Sequence, residues 1–144
     1  ENKRLPMHWS DTDRVGTPNP PAGADDVEQK FSALDVQRND PYSLFHYYRR
    51  ALRIRNENPG IARGAAEAVE VLTAGAVCAV LKTYDEDTLL LIYNIGEQGI
   101  ELSLGGTEYA AYALYGYLTV DEERVTLTDT TLWLPSYAIA VLRP

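Results

Sequence analysis

The side chains able to do chemistry are few and scattered. Asp11, Asp13, Asp25 and Asp26 are oxygen donors of the kind a calcium ion collects six or more of, yet their spacing matches no calcium loop, so solvated loop acids are expected. His8 and His46 stand far apart with no cysteine near either, which leaves zinc without a tetrahedral ligand set, and His46 is expected on a helix flank. Cys78 lies in an apolar run with no basic neighbour to hold a thiolate and reads as a small buried hydrophobe. Asp85-Glu86-Asp87 reads as a hairpin turn. Ten tyrosines raise the chemistry of sugar stacking, with Tyr109, Tyr112, Tyr115 and Tyr117 the candidates for a platform. Tyr109, Tyr115 and Tyr117 share one strand parity and Tyr112 has the other, so one exposed row is not predicted, and strand aromatics usually pack. No metal and no cofactor is expected.

The elements that must position these residues belong to an ordinary globular chain. At 144 residues it is large enough to bury a core, and 45% hydrophobic against 24% charged residues is too apolar for disorder. The net charge of −8 excludes a nucleic-acid partner, because phosphate-backbone affinity comes from clustered Lys and Arg. No apolar run approaches the roughly 20 residues that cross a bilayer, so no membrane partner is expected and the chain as given reads as soluble. A single cysteine rules out an internal disulfide and so says nothing of export.

Three textures follow one another. Glu1 to Asn39 is loop-like, broken by Gly16, Pro18, Pro20, Pro21 and Gly23. A loop of that length usually means function or a scaffold that lies elsewhere, and the second is favoured. Asp40-Pro41 then predicts a helix start. Leu44, Tyr47, Tyr48, Ala51, Leu52 and Arg55 recur at three and four residue steps, widened by Phe45 and Ile54, and Arg49, Arg50, Arg53 and Arg55, mainly off that stripe or at its edge, form a solvated flank. Asn58-Pro59-Gly60 predicts the stop. From Glu67 onward the period changes to two. The predicted strands are Ala68–Leu72, Val77–Tyr84, Thr88–Tyr93, Gly99–Leu104, Tyr109–Tyr115, Arg124–Leu127, Thr131–Leu134 and Tyr137–Leu142. Connections this short leave no room for crossover helices, so the expected fold is mainly β, an antiparallel eight-stranded β-sandwich preceded by a long loop and one amphipathic α-helix.

Particular residues add a resemblance. Arg4-Leu5-Pro6-Met7-His8-Trp9-Ser10 resembles a motif of α-glucosidase and oligo-glucosidase-like members of the α-amylase superfamily, from which it departs at Leu5 and His8. Asp40 to Arg50, continuing to Leu52, Arg55, Asn58 and Pro59, is similar to the final barrel helix of those enzymes, and Val36-Gln37 looks like its usual lead-in. Leu89-Leu90-Leu91-Ile92-Tyr93-Asn94 resembles the central strand of the sandwich that follows the barrel.

The resemblance implies a C-terminal piece of an α-glucan-acting retaining glycosidase, with residues 1–60 as the last loop and helix of a (β/α)8 barrel and 61–144 as the sandwich that stabilises it. Such enzymes use two carboxyl groups about 5 Å apart. In the family all of these precede Glu1, so the chain alone is expected to be inactive. Arg4 and Trp9 are the substrate-binding candidates, since barrel loops border the cleft, an indole face suits a pyranose and a guanidinium donates paired hydrogen bonds; the plainer reading is that Trp9 and Met7 anchor the long loop onto the barrel. The expected partner of the intact enzyme is an α-glucan or maltooligosaccharide. Self-association is also expected, because a helix cut from its barrel exposes an apolar face. The competing reading is a stand-alone carbohydrate-binding or interaction module.

Overall fold

The computed structural model describes residues 8–10 and 31–144. Among them, helices α1 (Leu34–Asn39), α2 (Leu44–Glu57) and α3 (Pro59–Arg63) precede strands β1 (Ala65–Ala68), β2 (Val77–Tyr84), β3 (Asp87–Asn94), β4 (Ile100–Ser103), β5 (Ala113–Leu118), β6 (Thr126–Thr128), β7 (Thr131–Leu134) and β8 (Ile139–Arg143). The chain divides into two compact units, Glu1–Tyr48 and Arg49–Pro144.

In the second unit every strand pairing is antiparallel, in a five-stranded sheet of order β1-β2-β3-β8-β5 and a three-stranded sheet of order β4-β7-β6. The sandwich expected from the period-two runs is therefore present. Its main core lies between the sheets, where Ala79, Leu90, Ile92, Ala140 and Leu142 meet Leu104, Leu132 and Leu134. The larger sheet is covered on its other face too, where Leu89, Leu91 and Val141 pack with Ile54 and Ile61. Burial on both faces explains why β3 reads as an unbroken apolar run rather than an alternating one. It is the middle strand of its sheet.

Several boundaries differ from the sequence expectation. One amphipathic helix was expected and the described residues hold three. Residues 34–39, expected as loop, form α1. Asp40 does not cap α2. Its carboxylate accepts from Tyr42 N (2.9 Å) and its carbonyl from Ser43 N (3.1 Å), which closes a turn. Ser43 takes the capping position, its hydroxyl lying 3.5 Å from His46 N at the third residue of the helix. Asn58 stops α2 by donating back to Ile54 O at 2.7 Å, and Pro59 then opens α3, where its missing N–H costs no hydrogen bond.

The first strand lies at 65–68, earlier than the expected 68–72. Glu70–Leu72 instead forms a tight 3-10 turn, because Val69 and Leu72, three apart, both enter the core and Thr73 Oγ1 donates to Val69 O at 2.9 Å. The strand expected at 109–115 begins at Ala113. Thr107 holds the preceding residues in turns, accepting from Tyr109 N at 3.1 Å and donating to Leu104 O at 2.7 Å.

The four tyrosines form no single exposed row, as expected, but the shared face of Tyr115 and Tyr117 is lost at a β-bulge. Leu114 pairs with Leu142 and Gly116 with Val141, which leaves Tyr115 as the extra residue. Leu114 and Tyr117, three residues apart, consequently both pack on the main core. Tyr109 and Tyr112 meet edge to face at 5.3 Å. Burial and then the neighbouring Glu108 push the Tyr109 phenol up from its ordinary value.

Candidate functional site

Two residues carried the sequence expectation of a sugar contact. Arg4 lies outside the described residues, as do Asp11, Asp13, Asp25 and Asp26. Trp9 is described, and its backbone and side chain do different things. Leu34 N donates to His8 O at 3.0 Å and Asp35 N to Trp9 O at 3.2 Å, so residues 8 and 9 supply acceptors for amides that the first turn of α1 cannot satisfy internally. The indole is 53% exposed.

In the same unit a clasp joins α1 to the start of α2. Gln37 Nε2 donates to Ser32 O (2.6 Å), Gln37 Oε1 accepts from Phe45 N (3.0 Å), and Ser43 Oγ donates to Gln37 O (2.7 Å). A His46 ring nitrogen lies 3.0 Å from Arg38 O. The Val36-Gln37 lead-in singled out in the sequence therefore acts through Gln37, whose single side chain serves both segments. Tyr42, Leu44, Tyr48 and Leu52 are exposed, the last three at four-residue steps along α2.

In the second unit the end of the helical region is tied to the sheet by Arg143. Its Nη2 donates to Asn58 Oδ1 at 2.7 Å and its guanidinium carbon lies 4.2 Å from the centroid of the Tyr115 ring. Arg143 Nε is buried with no hydrogen-bond partner. Arg50, expected on a solvated flank, is half-buried and donates from Nη2 to Thr119 O at 3.3 Å. Nothing in the sequence pairs Arg143 with Asn58, because they meet only through the fold. Cys78 is half-buried on β2, opposite Tyr93 on β3. Burial, and then Cys78, raise the Tyr93 phenol. Among the described residues no cluster of His, Cys, Asp and Glu is placed to hold a metal ion, and no helix is long and apolar enough to cross a membrane.

No family model matches the chain. Individual proteins do. A probable alpha-glucosidase of Rhizobium meliloti is 31% identical over 99 residues, covering 66% of this chain and 17% of that protein. An oligo-1,6-glucosidase of Halalkalibacterium halodurans is 24% identical over 141 residues, covering 95% of this chain and 21% of that protein. Among solved structures, Amy13B of Eubacterium rectale superposes with a TM-score of 0.86 at 28% identity, over 95% of this chain and 26% of that one. An alpha-amylase from H. orenii superposes with a TM-score of 0.72 at 22% identity, over 99% of this chain and 28% of that one, a likeness of fold. The chain thus spans about a fifth of the curated relatives and about a quarter of the solved chains it matches. The chain is similar to a C-terminal part of alpha-glucosidases, oligo-1,6-glucosidases and alpha-amylase-family enzymes, of which it spans only a fraction.

Proposed function

We propose that residues 1–144 are the C-terminal portion of a retaining, α-glucan-acting glycoside hydrolase of the α-glucosidase or α-amylase type. Residues 1–60 would complete its catalytic barrel and 61–144 would stabilise that barrel. The observation that carries this reading is the two-sidedness of α2. Ile54 packs on the outer face of the larger sheet with Leu91 and Val141, while Leu44, Tyr48 and Leu52 stay exposed. A helix apolar on a second side needs a second partner, and a barrel wall is the partner that the family supplies. The relatives' names, all enzymes acting on glucosides, favour this reading over a stand-alone binding module.

Arg4 and Trp9 are assigned to the rim of the substrate cleft, with the exposed indole of Trp9 available to a pyranose face. Acid–base and nucleophilic chemistry would come from carboxylates outside residues 1–144. The test is glucose release from maltooligosaccharides and isomaltooligosaccharides by this chain alone and by the chain extended with its upstream reading frame. Turnover is expected only in the extended protein, and turnover by residues 1–144 alone would overturn the assignment.

The same exposed side of α2 supports self-association of the isolated chain. Sedimentation velocity is expected to show a concentration-dependent dimer or higher species, and a monomer at every concentration would count against it.

A further inference from the structure

A cleft of about 330 Å³ runs between the last turns of α2 and strand β5, lined by Arg50, Arg53, Ile54 and Glu57 from the helix and by Tyr115 and Gly116 from the strand, among others. We propose that this cleft is a binding site for a neutral α-glucan segment of one or two glucosyl units. The ligand class rests on the enzymatic reading above; the existence of the site rests on the residues that follow.

The bulge is what makes the cleft. As the extra residue opposite β8, Tyr115 is released from the alternation that sends Leu114 and Tyr117 inward. Tyr115 is 52% exposed, and the Arg143 guanidinium carbon lies 4.2 Å from the centroid of its ring. Bulges recur beside binding sites because they re-aim one side chain without breaking the sheet. The next residue keeps the floor open. A side chain at Gly116 would begin 4.0 Å from Ile54, so anything larger than a methyl group would fill the space between helix and strand. The volume lies in the range of small-ligand sites.

The polar groups indicate a neutral, hydroxyl-rich occupant. Arg50 is fixed by its bond to Thr119 O, and Arg53 stands 4.0 Å from Glu57 in an ion pair whose side chains are 77% and 56% exposed. An exposed pair of that kind is worth little by itself, so both groups are cheaply re-aimed to a ligand. Guanidinium donors beside a carboxylate acceptor match hydroxyls, which both donate and accept. An anion would use the arginines and be repelled by Glu57. An aromatic face next to such groups matches the apolar face and polar rim of a pyranose.

One open ring and solvent-facing polar groups imply weak binding, with Kd of about a millimolar. Calorimetric titration of residues 1–144 with maltohexaose is expected to saturate in that range. Tyr115→Ala, which also removes the ring beneath Arg143, and Arg53→Ala, on the exposed helix surface and with an unchanged thermal melt, are each expected to weaken it about fivefold or more. Inorganic phosphate is expected neither to bind nor to compete. Absence of saturable binding, equal binding by both variants, or displacement by phosphate would each overturn the proposal. If the extended protein hydrolyses glucans while maltohexaose binding ignores Tyr115 and Arg53, this site fails and the enzymatic reading stands.

Discussion

At the scale of single residues, the two sheets are joined by one buried amide. Asn94 closes β3 and is 2% exposed, and its Nδ2 lies within hydrogen-bond distance of three carbonyls, Gln98 O (2.7 Å), Pro135 O (2.8 Å) and Leu134 O (3.2 Å), while its Oδ1 accepts from Gly96 N at 2.9 Å. Leu134 ends β7, so the amide bridges the two layers. Asn94→Ala would strand buried carbonyls without a donor, at a cost of about 2–4 kcal/mol. In urea the expected result is a lower unfolding midpoint with an unchanged slope; an unaltered midpoint would show that water replaces the amide without loss. Asn94 stood out in the sequence only as the end of a run resembling a central strand. Its partners could not be read there, because they belong to the other sheet and meet it only on folding. Trp9 shows the converse. Its type suggested either sugar contact or anchoring of the loop onto a barrel; in the structure its carbonyl accepts from Asp35 N and the residue is 53% exposed.

At the scale of elements, hydrophobic period was enough where an apolar alternation runs between two turns and failed where contacts beyond the segment set its conformation. Val77–Tyr84 and Thr131–Leu134 match their expected bounds because an apolar alternation runs to a turn at both ends. The helix α1 and the turn at Glu70–Leu72 carry no such alternation: the first takes acceptors from His8 O and Trp9 O, and the second is set by Val69 and Leu72 both entering the core. The bulge at Tyr115 was equally hidden, since one inserted residue reverses the faces that alternation assigns. The junction between α3 and β1 has a similar non-local cause. A side chain at Gly64 would begin 2.6 Å from Gly60 O and 2.8 Å from Thr83 O, both backbone atoms that the helix and the β1–β2 pairing hold in place. Gly64→Ala is accordingly expected to lower stability by about 2 kcal/mol or more. Chemical denaturation measures this, and a substitution without effect would mean that the helix–strand junction yields freely.

At the scale of the whole molecule, the chain pairs a finished structure with an unfinished surface. The sandwich has a core between its sheets and a second apolar layer beneath Ile54 and Ile61. By contrast, α2 has no buried residue, and Leu44, Tyr48 and Leu52 face solvent. This contrast between a complete β domain and a helix that keeps an open apolar side is the physical content of the family assignment. The resemblance read in the sequence already implied a helix with an apolar face left open by the absence of its barrel. What it could not show was which side chains the sheet would claim. Ile54 goes to the sheet and Leu52, two residues earlier, does not.

The most direct test places a charge on that open side. Leu52→Asp in the protein extended by its upstream reading frame is expected to destabilise it by roughly 3 kcal/mol, because the carboxylate would be buried against the barrel wall. The same change in residues 1–144 alone is expected to leave the melting temperature almost unaltered and to reduce self-association. Equal effects of Leu52→Asp on the extended and the isolated chains would contradict the account, since they would mean that nothing covers α2 in the larger protein.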